Sequence, residues 1–221
     1  MHGILMESIS PDYAEKMHEK SLRPFSQYVH YENNCNFWIV STLDRVAYEN
    51  IIIPLLSLKT AEVRQKNDTI YFHTAEQKII SYNELLAHNN ITSGKSSNIR
   101  IDFITPTAFR SAGSYVNIPS SRLIFNSLAR RFDICYGIQN NDYEVFLSEV
   151  EKYISITEYS LKSTAFSLEG RNVPAFIGYI VMNIKGDCQL RSYLSMLCEF
   201  AVYSGTGIKT ALGMGQVISG N

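Results

Sequence analysis

Four cysteines in 221 residues, Cys35, Cys135, Cys188 and Cys198, never fall at Cys-x-x-Cys spacing, so neither a zinc ribbon nor a disulfide framework is indicated. No apolar run approaches the ~20 residues of a membrane span. The segment Met1-His2-Gly3-Ile4-Leu5-Met6 lacks the basic flank and long apolar stretch of a signal peptide. A cytoplasmic chain with reduced thiols and no membrane partner is therefore expected. Net charge is also missing: 20 Lys+Arg against 21 Asp+Glu leave a formal charge of -1, which excludes indiscriminate binding to nucleic acid. Asp, Glu and His form no cluster at metal-ligand spacing, so no metal and no other cofactor is expected. The lone tryptophan, Trp38, stands inside an apolar strand and reads as buried. What remains is 45% hydrophobic and 19% charged, an ordinary globular composition.

Charge is nonetheless uneven along the chain. Between residues 99 and 134, Arg100, Arg110, Arg122, Arg130 and Arg131 are opposed only by Asp102 and Asp133. A basic face on a neutral molecule suits selective phosphate contact; a solvated surface is the competing explanation. Near the end, Gly205, Gly207, Gly213 and Gly215 frame a run with Lys209 and Thr210 at its centre. Such a side-chain-poor loop brings its backbone amides close to a phosphate chain, or else lets the chain pack tightly on its neighbour. A nucleotide-binding P-loop is excluded. It needs Gly directly before Lys-Thr, after a strand and opening a helix, whereas Ile208 intervenes and a helix precedes.

The second half has a clear element order. Asn98 to Phe109 alternates apolar and polar residues as a half-buried strand does, and Pro119-Ser120-Ser121 opens a helix with Leu123, Ile124, Leu128 and Phe132 at helical spacing. A helix about Asp142–Tyr153 reads as an insertion. Strands about Ile154–Leu168 and Ala175–Ile184 follow, then a helix over Leu190–Tyr203, and after the glycine loop a short strand at Gln216-Val217-Ile218. Strand, helix, strand, strand, helix, strand is a ferredoxin-like unit. The first half repeats this order in part. Ser10 caps a helix with Pro11 at its first position, running to about His18. Phe25–Tyr31 and Asn36–Thr42 form a hairpin around Glu32-Asn33-Asn34, and Arg45–Leu58 is helical up to a kink or stop at Pro54. Thr69–Phe72 and Lys78–Ser81 supply strands, Ser81–His88 a short helix, and Ser93–Ser97 a linker. The expected fold is thus α+β, two tandem ferredoxin-like (RRM-like) domains over residues 1–92 and 98–221, the first lacking its first strand.

Two such halves with a glycine loop between last helix and last strand resemble the RAMP superfamily of CRISPR systems. Tyr203 through Val217 resembles, almost residue for residue, the C-terminal signature of its precursor-CRISPR-RNA repeat endoribonucleases. Thr105-Pro106-Thr107-Ala108-Phe109 with Pro119 resembles the opening of their C-terminal domain. His2-Gly3, Met17-His18-Glu19 and Arg23-Pro24-Phe25 are similar to their N-terminal pattern. The resemblance implies metal-independent cleavage of repeat RNA, in which the ribose 2′-hydroxyl attacks the adjacent phosphate and leaves a 2′,3′-cyclic phosphate and a 5′-hydroxyl. Its alternative is a non-cutting RNA-binding subunit of a CRISPR effector complex. Partners implied are the repeat RNA, other Cas proteins and a second copy of the chain.

That chemistry needs a base, an acid and a cation beside the phosphorane, and histidine suits both proton roles. The resemblance places the active-site histidine at His18, with His2 facing it. It favours Arg23 over Lys20 as the cation. The RNA contacts it suggests are Gly205, Gly207, Lys209, Thr210, Gly213 and Gly215 in the loop, joined by Arg110, Arg122, Arg130 and Arg131. Tyr13 and Tyr28 are candidate assistants.

Overall fold

The computed structural model describes residues 1–19, 22–63, 67–81, 83–85, 97–139 and 142–220, the side chains of residues 18 and 19 excepted. Among these, the C-terminal half forms a four-stranded antiparallel sheet. Its strands are β5 (Asn98–Thr107), β8 (Ile154–Leu168), β9 (Arg171–Ile184) and β10 (Val217–Gly220), in the spatial order β10-β5-β9-β8. Numbered within the unit this is 4-1-3-2, the ferredoxin-like arrangement, in which β5 and β10 lie side by side although more than a hundred residues separate them. Helices α5 (Ser121–Tyr136) and α7 (Cys188–Ser204) are its two crossovers. Ser120 and Asp187 cap them, accepting from the N–H of Leu123 and Leu190. Gly137 closes α5 in the left-handed conformation. Helix α6 (Tyr143–Tyr153) is inserted between α5 and β8, as the sequence suggests.

The core follows from the alternation. Ile99, Ile101 and Phe103 on β5 and Phe176, Ile180 and Met182 on β9 point inward against Ile124, Leu128 and Phe132 of α5 and Leu194, Leu197 and Phe200 of α7. Each fully buried side chain of this size is worth ~1.5–3 kcal/mol of transfer free energy. At the far end of β5 the pairing with β9 shifts register between Phe103 and Thr107. The strand there turns to other partners: Gly215 N–H donates to Pro106 O at 3.0 Å, and Ile208 N–H to Ala108 O at 2.9 Å. This peeled strand end seats the glycine loop. A small hairpin, β6 (Phe109–Ser111) with β7 (Ser114–Val116), follows at once.

The first half is the more reduced of the two ferredoxin-like units. Its first element is α1 (His2–Ser8), a helix the sequence pattern did not predict; α2 (Pro11–Glu19) follows, with Ser10 Oγ accepting from Tyr13 N–H. Hairpin β1 (Phe25–Glu32) and β2 (Cys35–Thr42) has its turn at Asn33 and Asn34, both at positive φ, as their residue type allows. Pro54 does not end the next helix, which runs on to Leu56. α3 (Arg45–Ala47) widens into a π turn (Tyr48–Ile52) before α4 (Ile53–Leu56), and the wider turn precedes the residue that has no N–H. A second hairpin pairs β3 (Thr60–Val63) with β4 (Asp68–Tyr71). The expected strand at Lys78–Ser81 is absent, its place being irregular backbone, whereas Thr60–Val63 was not foreseen. Of the expected helix at Ser81–His88, residues 83–85 are helical and half lies outside the described residues, as does most of the linker at Ser93–Ser97. The small core of this half gathers Leu5, Ile9, Tyr13, Met17, Phe25, Ala47 and Ile51, and it is completed by Ala211 from the glycine loop.

Candidate active site and glycine loop

The first turn of α1 carries His2 onto the face of β1. Its ring stacks on Phe25 with centroids 6.5 Å apart and planes 15° from parallel. Arg23 enters just before β1, and its Nη1 lies 3.3 Å from His2 Nε2. The same guanidinium donates through Nε to the carbonyl of Met17 at 3.2 Å. Met17 precedes His18, so the ends of two helices converge on one arginine. Burial pushes the Arg23 pKa down from its usual value, and no ion pair among the described residues contains it. A half-desolvated cation of this kind is poised for an anion. His18 is the penultimate residue of α2; its side chain, like Lys20, lies outside the described residues.

Behind His2 sits Gln27, 3% exposed on β1. Its Oε1 accepts from Trp38 Nε1 at 2.9 Å, while its Nε2 donates to Ala211 O at 2.6 Å and lies 3.3 Å from His2 Nδ1. Ser26 Oγ donates to Tyr203 O at 2.6 Å. β1 thus joins the candidate site to the glycine loop through Gln27 and to the last turn of α7 through Ser26, both buried. The sequence reading missed Gln27. Its signal was weak but present: a polar residue two positions from buried Phe25, on the strand face that alternation assigns to the core.

The glycine loop is less open than its composition suggests. The N–H groups of Gly205, Thr206, Gly207, Ile208, Gly213, Met214, Gly215 and Gln216 are all spent within the protein, on Ala201 O, Gly215 O, Ser127 Oγ, Ala108 O, Thr210 O, Lys209 O, Pro106 O and Thr105 Oγ1 respectively. A Cβ on Gly207 would stand 2.3 Å from Ala108 O, and one on Gly215 2.0 Å from Thr206 O. At these two positions glycine is required by the close approach of the chain to itself. The loop is therefore a platform packed on the protein, with most of its amides already used within the fold.

The structure gives the expected RNA contacts unequal surroundings. Gly205, Thr210 and Gly215 are buried in the platform. Arg131 is 5% exposed and donates through Nη2 to Gly207 O at 3.1 Å; burial lowers its pKa to about 10. It supports the loop from beneath. Arg122 is engaged by Glu144 and Glu151 of α6. Gly207, Lys209 and Gly213 are partly exposed, and Arg110 and Arg130 are exposed, the latter over the ring of Tyr143 at 4.5 Å. Tyr13 is a core residue, its hydroxyl pKa raised to about 12 chiefly by burial and further by Asp44. Trp38 is half-buried and anchored by its N–H, with its ring tilted over Phe72.

Comparison with known proteins matches residues 101–217 to the family described as CRISPR-associated endoribonuclease Cas6. A protein of that name from Streptococcus thermophilus is 32% identical over 218 residues, covering 98% of this chain and 88% of its own. One from Mycobacterium tuberculosis is 30% identical over 220 residues, covering 98% and 69%. Among solved structures, a Cas6 product complex superposes with a TM-score of 0.83 at 22% identity, covering 100% of this chain and 91% of that one. Thermus thermophilus Cas6 gives 0.70 at 20%, covering 99% and 89%. The fold is theirs throughout.

Proposed function

The chain belongs to the Cas6 family of CRISPR-associated endoribonucleases, and from that premise we propose that it cuts CRISPR repeat RNA at a site made by His18, His2 and Arg23. It is an RNA-cleaving enzyme. The reaction proposed is attack of a ribose 2′-hydroxyl on the adjacent phosphate. The 2′-oxygen loses its proton, the 5′-oxygen leaves and takes one up, and the products are a 2′,3′-cyclic phosphate and a 5′-hydroxyl. No metal is needed, because proton transfer and charge stabilisation both come from side chains. His18 moves a proton, and Arg23 faces the charge that builds on the phosphorane.

The observation that carries this reading is the convergence on Arg23: its Nη1 lies 3.3 Å from His2, and its Nε holds the carbonyl next to His18. Residues 1–92 supply this chemistry in the proposal, and residues 98–221 present the RNA along Gly207, Lys209, Gly213, Arg110 and Arg130. The site of action is the cytoplasm, where precursor RNA is made, with other Cas proteins or a second copy as further partners. The test is single-turnover cleavage of repeat RNA in EDTA, wild type beside His18→Ala. Wild type is expected to yield the cyclic phosphate, and the variant to bind but cut on the order of 10²–10⁴ more slowly. Binding with no cleavage by wild type would reduce the chain to a binding subunit.

A further inference from the structure

We propose that the outer edge of β8 is an interaction surface for a second copy of this chain. The two β8 strands pair antiparallel about a twofold axis at Ser160, so that Glu158 of each copy faces Lys162 of the other. The pairing does not depend on the cleavage reading, and it gives the second copy named among the partners a defined seat.

β8 is the last strand of its sheet. Over its 15 residues it is bonded on one side to β9, and its other side meets no strand among the described residues. Such an edge offers a row of backbone N–H and C=O groups to another strand, and proteins commonly shorten, cover or charge it. This edge is long, and Ser155, every residue from Thr157 to Ser160, Lys162 and Ser163 are exposed. Its only charges are Glu158 and Lys162, one of each sign.

In register with β9, Ser160 lies opposite Tyr179 and Tyr159 opposite Ile180. Directly opposed residues share a face. Alternation then sets Glu158, Ser160 and Lys162 on the open face of the sheet, and Tyr159 and Leu161 on the face of the core. The Tyr179 hydroxyl donates to Glu158 Oε1 at 2.7 Å, which holds that carboxylate on the open face. Neither Glu158 nor Lys162 is in an ion pair among the described residues. Four residues along a strand span about 13 Å, so the two charges cannot answer each other within one copy. On the core face, Tyr159 is 70% exposed although Ile180 beside it is fully buried, so an aromatic ring stands uncovered at the rim.

A twofold axis at Ser160 answers both features. It places Glu158 opposite Lys162 twice, once on each side of the axis. On the other face it places Tyr159 opposite Leu161 twice. Centring on Glu158 or Lys162 would set like charges against each other, and centring on Tyr159 or Leu161 would leave both charges opposite uncharged residues. Opposed unlike charges and aromatic–aliphatic pairs stabilise a sheet and opposed like charges destabilise it, so one register is preferred. The same patch serves on both copies, and the contact closes with two. The irregularity between Ile156 and Glu158 ends the regular stretch on one side. The pairing is therefore short, and the dimer comes apart on dilution.

The test is sedimentation velocity of the RNA-free protein over a concentration series. Wild type is expected to pass from monomer to dimer as concentration rises. Lys162→Glu and Glu158→Lys each set like charges in both pairs, and each is expected to raise the dimer dissociation constant by about tenfold. The decisive sample is an equimolar mixture of the two single variants. Both pairs in a mixed dimer again join opposite charges, so the dimer is expected to return at wild-type affinity, as it should when one chain carries both substitutions. Lys162 has no hydrogen bond or ion pair in its own chain among the described residues, so Lys162→Glu reads the interface even if Glu158→Lys disturbs the fold. A wild type that stays monomeric throughout overturns the proposal. So does a dimer that Lys162→Glu leaves unchanged, since its interface lies elsewhere. Folded single variants that split the dimer without recovery on mixing overturn the opposed charges. Weaker RNA binding by Lys162→Glu beside a monomeric wild type assigns the edge to RNA and overturns it equally.

Discussion

Arg122 and Arg110 share a charge and a stretch of sequence, and the structure gives them opposite surroundings. Arg122 Nη1 meets Glu151 at 2.9 Å and its Nη2 meets Glu144, tying α5 to α6. Its charge is already answered by two carboxylates. Arg110 stands exposed on β6, in no ion pair among the described residues. Arg122→Ala is therefore expected to leave RNA affinity and its salt dependence unchanged, with a small drop in melting temperature. Arg110→Ala is expected to weaken binding and reduce the slope of log K against log salt by about 0.7, the share of one phosphate contact on a single strand. Filter binding across a salt series checks both, and identical slopes for the two variants would defeat the distinction. The sequence showed a run of arginines but not which of them had partners, because the glutamates come from a helix 22 and 29 residues further on.

At the level of the loop, glycines of similar conformation carry different loads. Gly213 has φ +105°, and a Cβ there would find only Gln27 O at 3.8 Å. Its substitution by alanine costs backbone strain alone, about 1–3 kcal/mol. Gly215 has φ +72° and would in addition drive a Cβ to 2.0 Å from Thr206 O, the residue whose N–H donates to Gly215 O at 2.7 Å. Gly215→Ala must open that pairing. Thermal denaturation is expected to rank Gly213→Ala well above Gly215→Ala, and equal melting points would refute the packing account. Spacing of the glycines marked the loop from the sequence. Which glycine meets backbone and which meets open space depends on how the loop folds back on itself, Gly215 against Thr206.

Across the whole molecule the two halves are unequal. The C-terminal half builds a continuous core between one sheet and two helices, whereas the N-terminal core is small and borrows Ala211 to close it. We therefore expect residues 97–220 to unfold cooperatively as an isolated fragment, and residues 1–85 to stay largely unfolded without the loop to pack on. Circular dichroism and hydrogen exchange on the two fragments would decide it; a stably folded 1–85 would show that the seam through Ser26 and Gln27 is dispensable. If the expectation holds, the proposed catalytic residues sit on the half that depends on its partner half for order, and loop damage should reach the active site.

The sequence by itself determined the C-terminal unit, because alternation in β5 and β9 and helical spacing in α5 and α7 are local patterns that repeat over many residues. The same applies to the β1–β2 hairpin, announced by Asn33 and Asn34, and to the helix caps at Ser10 and Ser120. Strands of four residues such as β3 and β4 carry too little pattern to be recognised, and a π turn ahead of a proline has no local signature. Only the tertiary structure decided that the amides of the glycine loop are mostly consumed, that Arg131 lies beneath it, and that Gln27 links His2 to Ala211. The physical reason is distance along the chain: the Gln27–Ala211 bond spans 184 residues. A buried glutamine acquires its meaning only when folding brings its three partners to it.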